Sequence, residues 1–94
     1  MPYIQVRHKV KDYSAWKKVF DGAITMRKAN GERAYQILSP EDDPNNLFLL
    51  FEWDSYNNAK KFLGSAELKK AMQLSGVIEE PEVRFLKETA RGKL

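Results

Sequence analysis

The longest apolar run in the chain is Leu47–Trp53, Leu-Phe-Leu-Leu-Phe-Glu-Trp, and turn-forming residues precede it at Pro40, Asp42, Asp43, Pro44, Asn45 and Asn46. Seven residues are short for a helix, so the run predicts a strand. Side chains alternate across a strand, which sets Leu47, Leu49, Phe51 and Trp53 on one face and Phe48, Leu50 and Glu52 on the other. Both faces are largely apolar. Such a strand belongs inside a sheet that is covered on both sides.

The flanking patterns supply the rest of the sheet and its cover. Tyr3–Val10 alternates, with Ile4, Val6, His8 and Val10 on one face and Tyr3, Gln5, Arg7 and Lys9 on the other. Asp12 can cap a helix, with Ser14 as an alternative cap, because its carboxylate accepts from unpaired N–H groups of a first turn. That helix is expected to run to about Asn30, burying Trp16, Val19, Phe20, Ala23 and Met26, and to stop at Gly31. Arg33–Ser39 reads as a second strand, with Tyr35 and Ile37 on one face and Ala34, Gln36 and Leu38 on the other. After Trp53, Asp54 or Ser55 can cap a second helix built on Ala59, Phe62 and Leu63. Gly64-Ser65 interrupts it, and Ser65 recaps a further piece carrying Leu68, Ala71 and Met72. Glu82–Glu88 is a last strand. Residues 1–88 are expected to form one domain, with 89–94 a flexible tail.

Strand, helix, strand, strand, helix, strand with short connections predicts an α+β, ferredoxin-like βαββαβ sandwich. Its four-stranded antiparallel sheet has the third strand between the first and second, and helices on one face. The other face then needs an account. A self-association surface, a single-stranded RNA platform and a wrong topology compete. An RNA platform calls for a basic residue, a glycine and spaced aromatics on the third strand, and Leu47–Trp53 has neither the basic residue nor the glycine. Self-association is favoured, because a large apolar patch is rarely left uncovered and no other segment remains to cover it.

Composition narrows the classes further. The 94 residues are 43% hydrophobic and 31% charged, with net charge +3 and no cysteine. A chain of this length buries only roughly 60–65% of its unfolded surface, so a dimer is the expected support in the absence of disulfides. The basic pairs Lys17/Lys18, Arg27/Lys28, Lys60/Lys61 and Lys69/Lys70 are scattered on expected outer helix faces, so nucleic acid is not an expected partner. No stretch approaches the ~20 apolar residues of a membrane span. The polar Met-Pro-Tyr-Ile-Gln-Val-Arg start lacks a signal-peptide core, which leaves no membrane partner and a cytoplasmic location as expectations.

Three segments resemble a known family. Val10-Lys11-Asp12-Tyr13-Ser14-Ala15-Trp16, Phe51-Glu52-Trp53-Asp54-Ser55 with Ala59 and Phe62, and Pro81-Glu82-Val83-Arg84-Phe85-Leu86 are similar to the antibiotic biosynthesis monooxygenase-like domain of the dimeric α/β-barrel superfamily. The likeness spans about residues 3–88. It implies a dimeric α/β barrel, and a scaffold shared by oxygenases, haem-degrading proteins, isomerases and members of unknown role. Members with cofactor-independent, quinone-forming oxygenase activity carry a tryptophan at the end of the third strand, matched here by Trp53, and an asparagine four residues earlier, where this chain has Leu49. The haem-degrading branch has a tryptophan and an axial histidine near the positions of Phe62 and Met72. Neither is retained, so no haem or other cofactor is implied.

The candidate chemistry is sparse. His8, the only histidine, shares a strand face with Ile4 and Val6 and is a candidate base or orienting group, and Trp53 is a candidate pocket wall or electron-rich partner. Glu52 interrupts an apolar face and calls for a partner or a raised pKa, with Arg84 a candidate partner. Because antiparallel strands run in opposite directions, His8 and Glu52 are not expected to form a dyad. Tyr13, Trp16, Arg27 and Tyr35 are candidates to line a cavity between helices and sheet, where a small aromatic molecule is the expected ligand class. One histidine and no cysteine make a transition-metal site unexpected. Two functions remain open: a homodimeric small-molecule-binding protein with cofactor-independent monooxygenase chemistry on an aromatic or quinol-type substrate, and a non-catalytic dimeric domain.

Overall fold

Alternation of apolar and polar residues produces four strands, and a computed structural model describes residues 2–94. β1 spans Tyr3–Lys9, β2 Glu32–Leu38, β3 Asn46–Trp53 and β4 Glu82–Leu86. All neighbouring pairs are antiparallel, in the order β2-β3-β1-β4. The apolar run is thus an inner strand, with β3 between β1 and β2 as the element order predicts. The architecture is the α+β, ferredoxin-like sandwich.

Each crossover is two helices rather than one. α1 covers Tyr13–Gly22 and α2 Ile24–Asn30; α3 covers Tyr56–Leu63 and α4 Ala66–Leu74. Three start where side-chain oxygens cap them: Asp12 accepts from the Ala15 N–H at 2.9 Å, Ser55 from Asn58 at 3.1 Å and Ser65 from Leu68 at 3.2 Å. Ser14 is not the cap. The single helix expected to run to Asn30 is broken at Ala23, next to Gly22, a weak helix former, and before the β-branched pair Ile24-Thr25. Gly31 ends α2 with φ 123°, and a side chain there would also run into the Asp54 carboxylate.

Helices cover one face of the sheet. Leu47, Leu49, Phe51 and Trp53 point under them together with Ile4 and Val6 of β1, and Trp16, Phe20, Ala59 and Phe62 close over this layer. Leu47 is fully buried. Its neighbour Phe48 lies on the opposite face and is 36% exposed. Leu38 and Leu86 are also exposed on that face, which no helix or strand among the described residues covers; Arg91, beyond β4, touches it by donating from Nη2 to the Tyr3 hydroxyl at 2.9 Å.

One irregularity matters for the site. Between Glu32 and Ala34 the β2–β3 register shifts by one residue. Plain alternation would put Glu32 on the open face with Ala34, Gln36 and Leu38. The extra residue, Arg33, instead places Glu32 opposite Trp53 and turns its side chain under the helices, where it is 8% exposed.

Candidate functional site

The helix layer and the sheet do not close completely on each other. A cavity of about 110 Å³ lies between them, walled by His8 of β1, Trp16 and Phe20 of α1, Arg27 of α2, Glu32 of β2, Leu49 and Trp53 of β3, Phe62 of α3, and Leu68 and Met72 of α4. It is somewhat smaller than the ~150 Å³ engineered apolar cavity that takes up benzene. Room for about one small ring is the consequence.

Aromatic contacts shape the wall. Trp16 stacks on Phe20 with centroids 4.8 Å apart, and His8 meets the Trp16 ring edge to face at 5.8 Å. Trp53 packs against Phe62 at 5.3 Å. These rings come from a helix and a strand at each end, so packing of the core itself fixes them.

His8 is 4% exposed, and neither ring nitrogen has a hydrogen-bond partner among the described residues. Burial lowers its pKa to about 4, with the neighbouring Arg7 charge adding to the effect, so the ring is neutral at pH 7. A neutral imidazole with an unused donor and an unused acceptor is costly in such a place, unless something else uses them.

Arg27 and Glu32 form an ion pair in the same wall, through Nη1 and Oε2, with side chains 5% and 7% exposed. Arg27 also donates from Nη2 to the Phe20 carbonyl at 3.1 Å, and its guanidinium lies 3.7 Å above the centre of the Phe20 ring and 5.2 Å from that of Tyr35. Burial pushes the Glu32 carboxyl up to about 6, against the opposing pull of Arg27. The expectation that Arg27 and Lys28 share an outer helix face is therefore corrected at Arg27. Arg27 continues the Trp16, Phe20, Ala23 stripe inward.

The candidate residues separate into two groups. His8, Trp16, Arg27 and Trp53 line the cavity. Tyr13 packs on the outer side of Trp16 at 6.0 Å, and Tyr35 backs Arg27 and Phe20 from the β2 edge, 41% exposed, so neither forms part of the cavity wall. Glu52 and Arg84 lie on the other face of the sheet, Glu52 between Tyr3 and Ala34 and Arg84 opposite Gln5. No ion pair among the described residues joins them; Arg84 is exposed and Glu52 is half-buried. His8 pairs with Leu47 and Glu52 with Tyr3, which keeps the two apart along the ladder and on opposite faces.

Glu32 is the wall residue that sequence reasoning did not find. One signal pointed to it: a charged residue, Arg27, on the apolar stripe of a helix calls for a buried carboxylate. Among the described residues no group of three or more His, Cys, Asp or Glu side chains is placed to hold a metal ion, and no helix is long and apolar enough to cross a membrane.

No family model matches the sequence, and no curated protein is a significant match to it. Solved structures place the fold: it is the α+β fold of antibiotic biosynthesis monooxygenase structures, matched over nearly the whole chain. A Bordetella bronchiseptica protein assigned as an antibiotic biosynthesis monooxygenase matches with TM-score 0.78 at 16% identity, covering 95% of this chain and 97% of its own. SnoaB, a cofactor-independent oxygenase from Streptomyces nogalater, matches with TM-score 0.71 at 15% identity, covering 99% and 95%. A protein of unknown function from Nitrosomonas europaea matches equally well, with TM-score 0.71 at 15% identity over 99% and 93%. At such identities the shared property is the fold.

Proposed function

We propose that this chain is a homodimeric small-molecule-binding protein that holds one small aromatic molecule of phenol or quinol type in the cavity of each subunit. The observation that carries this reading is His8, buried in the wall of a mainly apolar cavity with neither nitrogen bonded to a described residue. The cavity volume suits a single ring, and Trp16 and Trp53 supply aromatic walls. Leu38, Phe48 and Leu86, exposed around the half-buried Leu50 on the uncovered face, support a sheet-on-sheet dimer.

SnoaB shares the fold and is a cofactor-independent oxygenase, which supports oxygenation of the bound ring as the activity to test first, with Trp53 as its electron-rich wall. Two observations favour a second, non-catalytic reading. Leu49, in the cavity wall, can only pack, and a His8 pKa of about 4 makes it a weak base toward a phenol.

Crystals grown with hydroquinone are expected to show one ring per cavity, and light scattering is expected to give twice the chain mass. Oxygen uptake with hydroquinone separates the two readings. Uptake that falls in Trp53→Phe supports oxygenation, whereas uptake no faster than in buffer leaves binding alone. A filled, ligand-free cavity would sink ligand binding and leave a non-catalytic dimeric domain.

A further inference from the structure

An ion pair sealed into the wall of an apolar cavity is an expensive way to join a helix to a strand, since apolar contact does the same at lower cost. Arg27 reaches the wall from the last turn of α2, and Glu32 reaches it only because the bulge at Arg33 turns it inward. The pair does not satisfy itself. Glu32 Oε2 accepts from Arg27, but Oε1 takes no hydrogen bond from a described residue, and the buried Arg27 Nε–H has no partner among them. Glu32 Oε1 is thus the unused acceptor of the pair, whereas the unused Arg27 Nε–H is closed to solvent.

A hydroxyl complements Oε1, because it can donate to it. A carboxylate ligand would meet Glu32 and an ammonium would meet Arg27, so a neutral hydroxyl is the group that fits. Trp53 stands directly across the β2–β3 ladder from Glu32, so an aromatic face lies next to these polar atoms.

We infer that the Arg27–Glu32 pair is the hydroxyl-recognition group of the cavity, with Glu32 Oε1 accepting the hydroxyl hydrogen of a bound phenol and Arg27 holding the carboxylate in place. This rests on the cavity being the ligand site. Ionised Glu32 is the stronger acceptor, so phenol affinity rises as pH passes upward through about 6. The groups facing Glu32 leave that window clear. α2 supplies Arg27, and α1, α3 and β3 supply Phe20, Phe62 and Trp53, which carry no charge. Tyr35 of β2 lies beyond Arg27, while Arg33 and Asp54 pair with each other at 3.6 Å. His8, also in the cavity wall, titrates near 4.

Phenol and toluene have the same shape and differ by the hydroxyl, so calorimetric titration of the intact protein with each, at pH 5 and pH 7.5, tests the assignment. In a cavity without a hydroxyl partner toluene wins, because phenol gives up its water bonds for nothing. With Glu32 as acceptor, phenol is expected to bind at least as tightly as toluene at pH 7.5 and to weaken by about tenfold at pH 5, while toluene stays level. Glu32→Gln, checked for folding by circular dichroism, should weaken phenol by a similar factor, abolish its pH step and leave toluene unchanged. If that variant does not fold, the pH profile of the wild type decides alone. Toluene bound more tightly than phenol with no pH step, or a phenol preference that survives Glu32→Gln, overturns the role of Glu32 and leaves the cavity as an apolar ligand site. Binding of neither molecule overturns both.

Discussion

The two faces of one sheet solve opposite problems with residues that alternate along the same strands. Under the helices lie Leu47, Leu49, Phe51 and Trp53, yet this apolar layer also contains His8, Arg27 and Glu32, all nearly inaccessible to water. The open face carries Gln5, Arg7, Lys9, Glu52, Glu82 and Arg84, and it also exposes Leu38, Phe48 and Leu86. Polar side chains are buried under the helices around a cavity. Apolar groups are exposed where only a second protein surface could cover them. Each face is out of place for an isolated chain, and each anomaly points to a different partner.

The sharpest way to break this contrast is to truncate adjacent residues of β3. Leu47 is fully enclosed, so Leu47→Ala is expected to destabilise the fold by about 2–5 kcal/mol, through lost burial and the space left behind. Phe48→Ala is expected to cost less, about 1–2 kcal/mol within one subunit, because its ring is already partly in water. The two variants should separate in urea unfolding followed by circular dichroism. If Phe48→Ala instead costs as much as Leu47→Ala, and the cost grows with protein concentration, the open face is buried in a dimer at the concentrations used.

Acid sharpens the other side of the contrast. The folded-state pKa of His8, about 4, lies below its ordinary 6.5, so the unfolded chain binds the extra proton. Stability is complete above pH 6.5 and is lost as pH falls toward 4, by about 3 kcal/mol at full extent. Glu32 acts in the opposite sense. Its pKa is raised from 4.5 to about 6, so its contribution is complete below 4.5 and is lost as pH rises through 6, by about 2 kcal/mol. For these two groups the net change on acidification from pH 7 to 4.5 is a small loss. His8→Leu removes the stronger of these two pH dependences, so in that variant stability is expected to increase over this interval, and urea midpoints at four or five pH values would show the reversed slope. An unchanged slope would mean that His8 is not held neutral by burial.

The sequence made the open face easier to read than the cavity. Alternation in β1 and β3, Asp12, Ser55 and Ser65 as caps, and Gly31 as a stop are all local patterns, and the structure uses them as expected. The excess of apolar residues on β3 followed from the same alternation. The cavity depended on two departures from regularity. The break at Ala23 divides the helix that carries the Trp16–Arg27 stripe, and the bulge at Arg33 reverses the face of Glu32. Neither has a periodicity that a single sequence displays. Glu52, by contrast, stood out as a carboxylate in an apolar run, and it lies on the open face because the run is apolar on both sides.

The smallest effect is expected at Arg7, whose ion pairs mirror that of Arg27 on the other side of the sheet. Arg7 Nη1 lies 3.4 Å from Glu79 and 3.9 Å from Glu82, with carboxylate side chains 44% and 57% exposed. Water screens such pairs and two long side chains must be held still to make them, so each contributes only about 0–1 kcal/mol. Arg7→Met is therefore expected to shift the urea midpoint little, and to shift it less still in 0.5 M salt. Arg27→Met strands a buried carboxylate and is expected to cost more at pH 7.5 than at pH 5, where Glu32 can take up a proton instead. If the Arg7 variant loses as much as the Arg27 variant, the open face is as dry as the cavity face, which requires a second sheet packed over it.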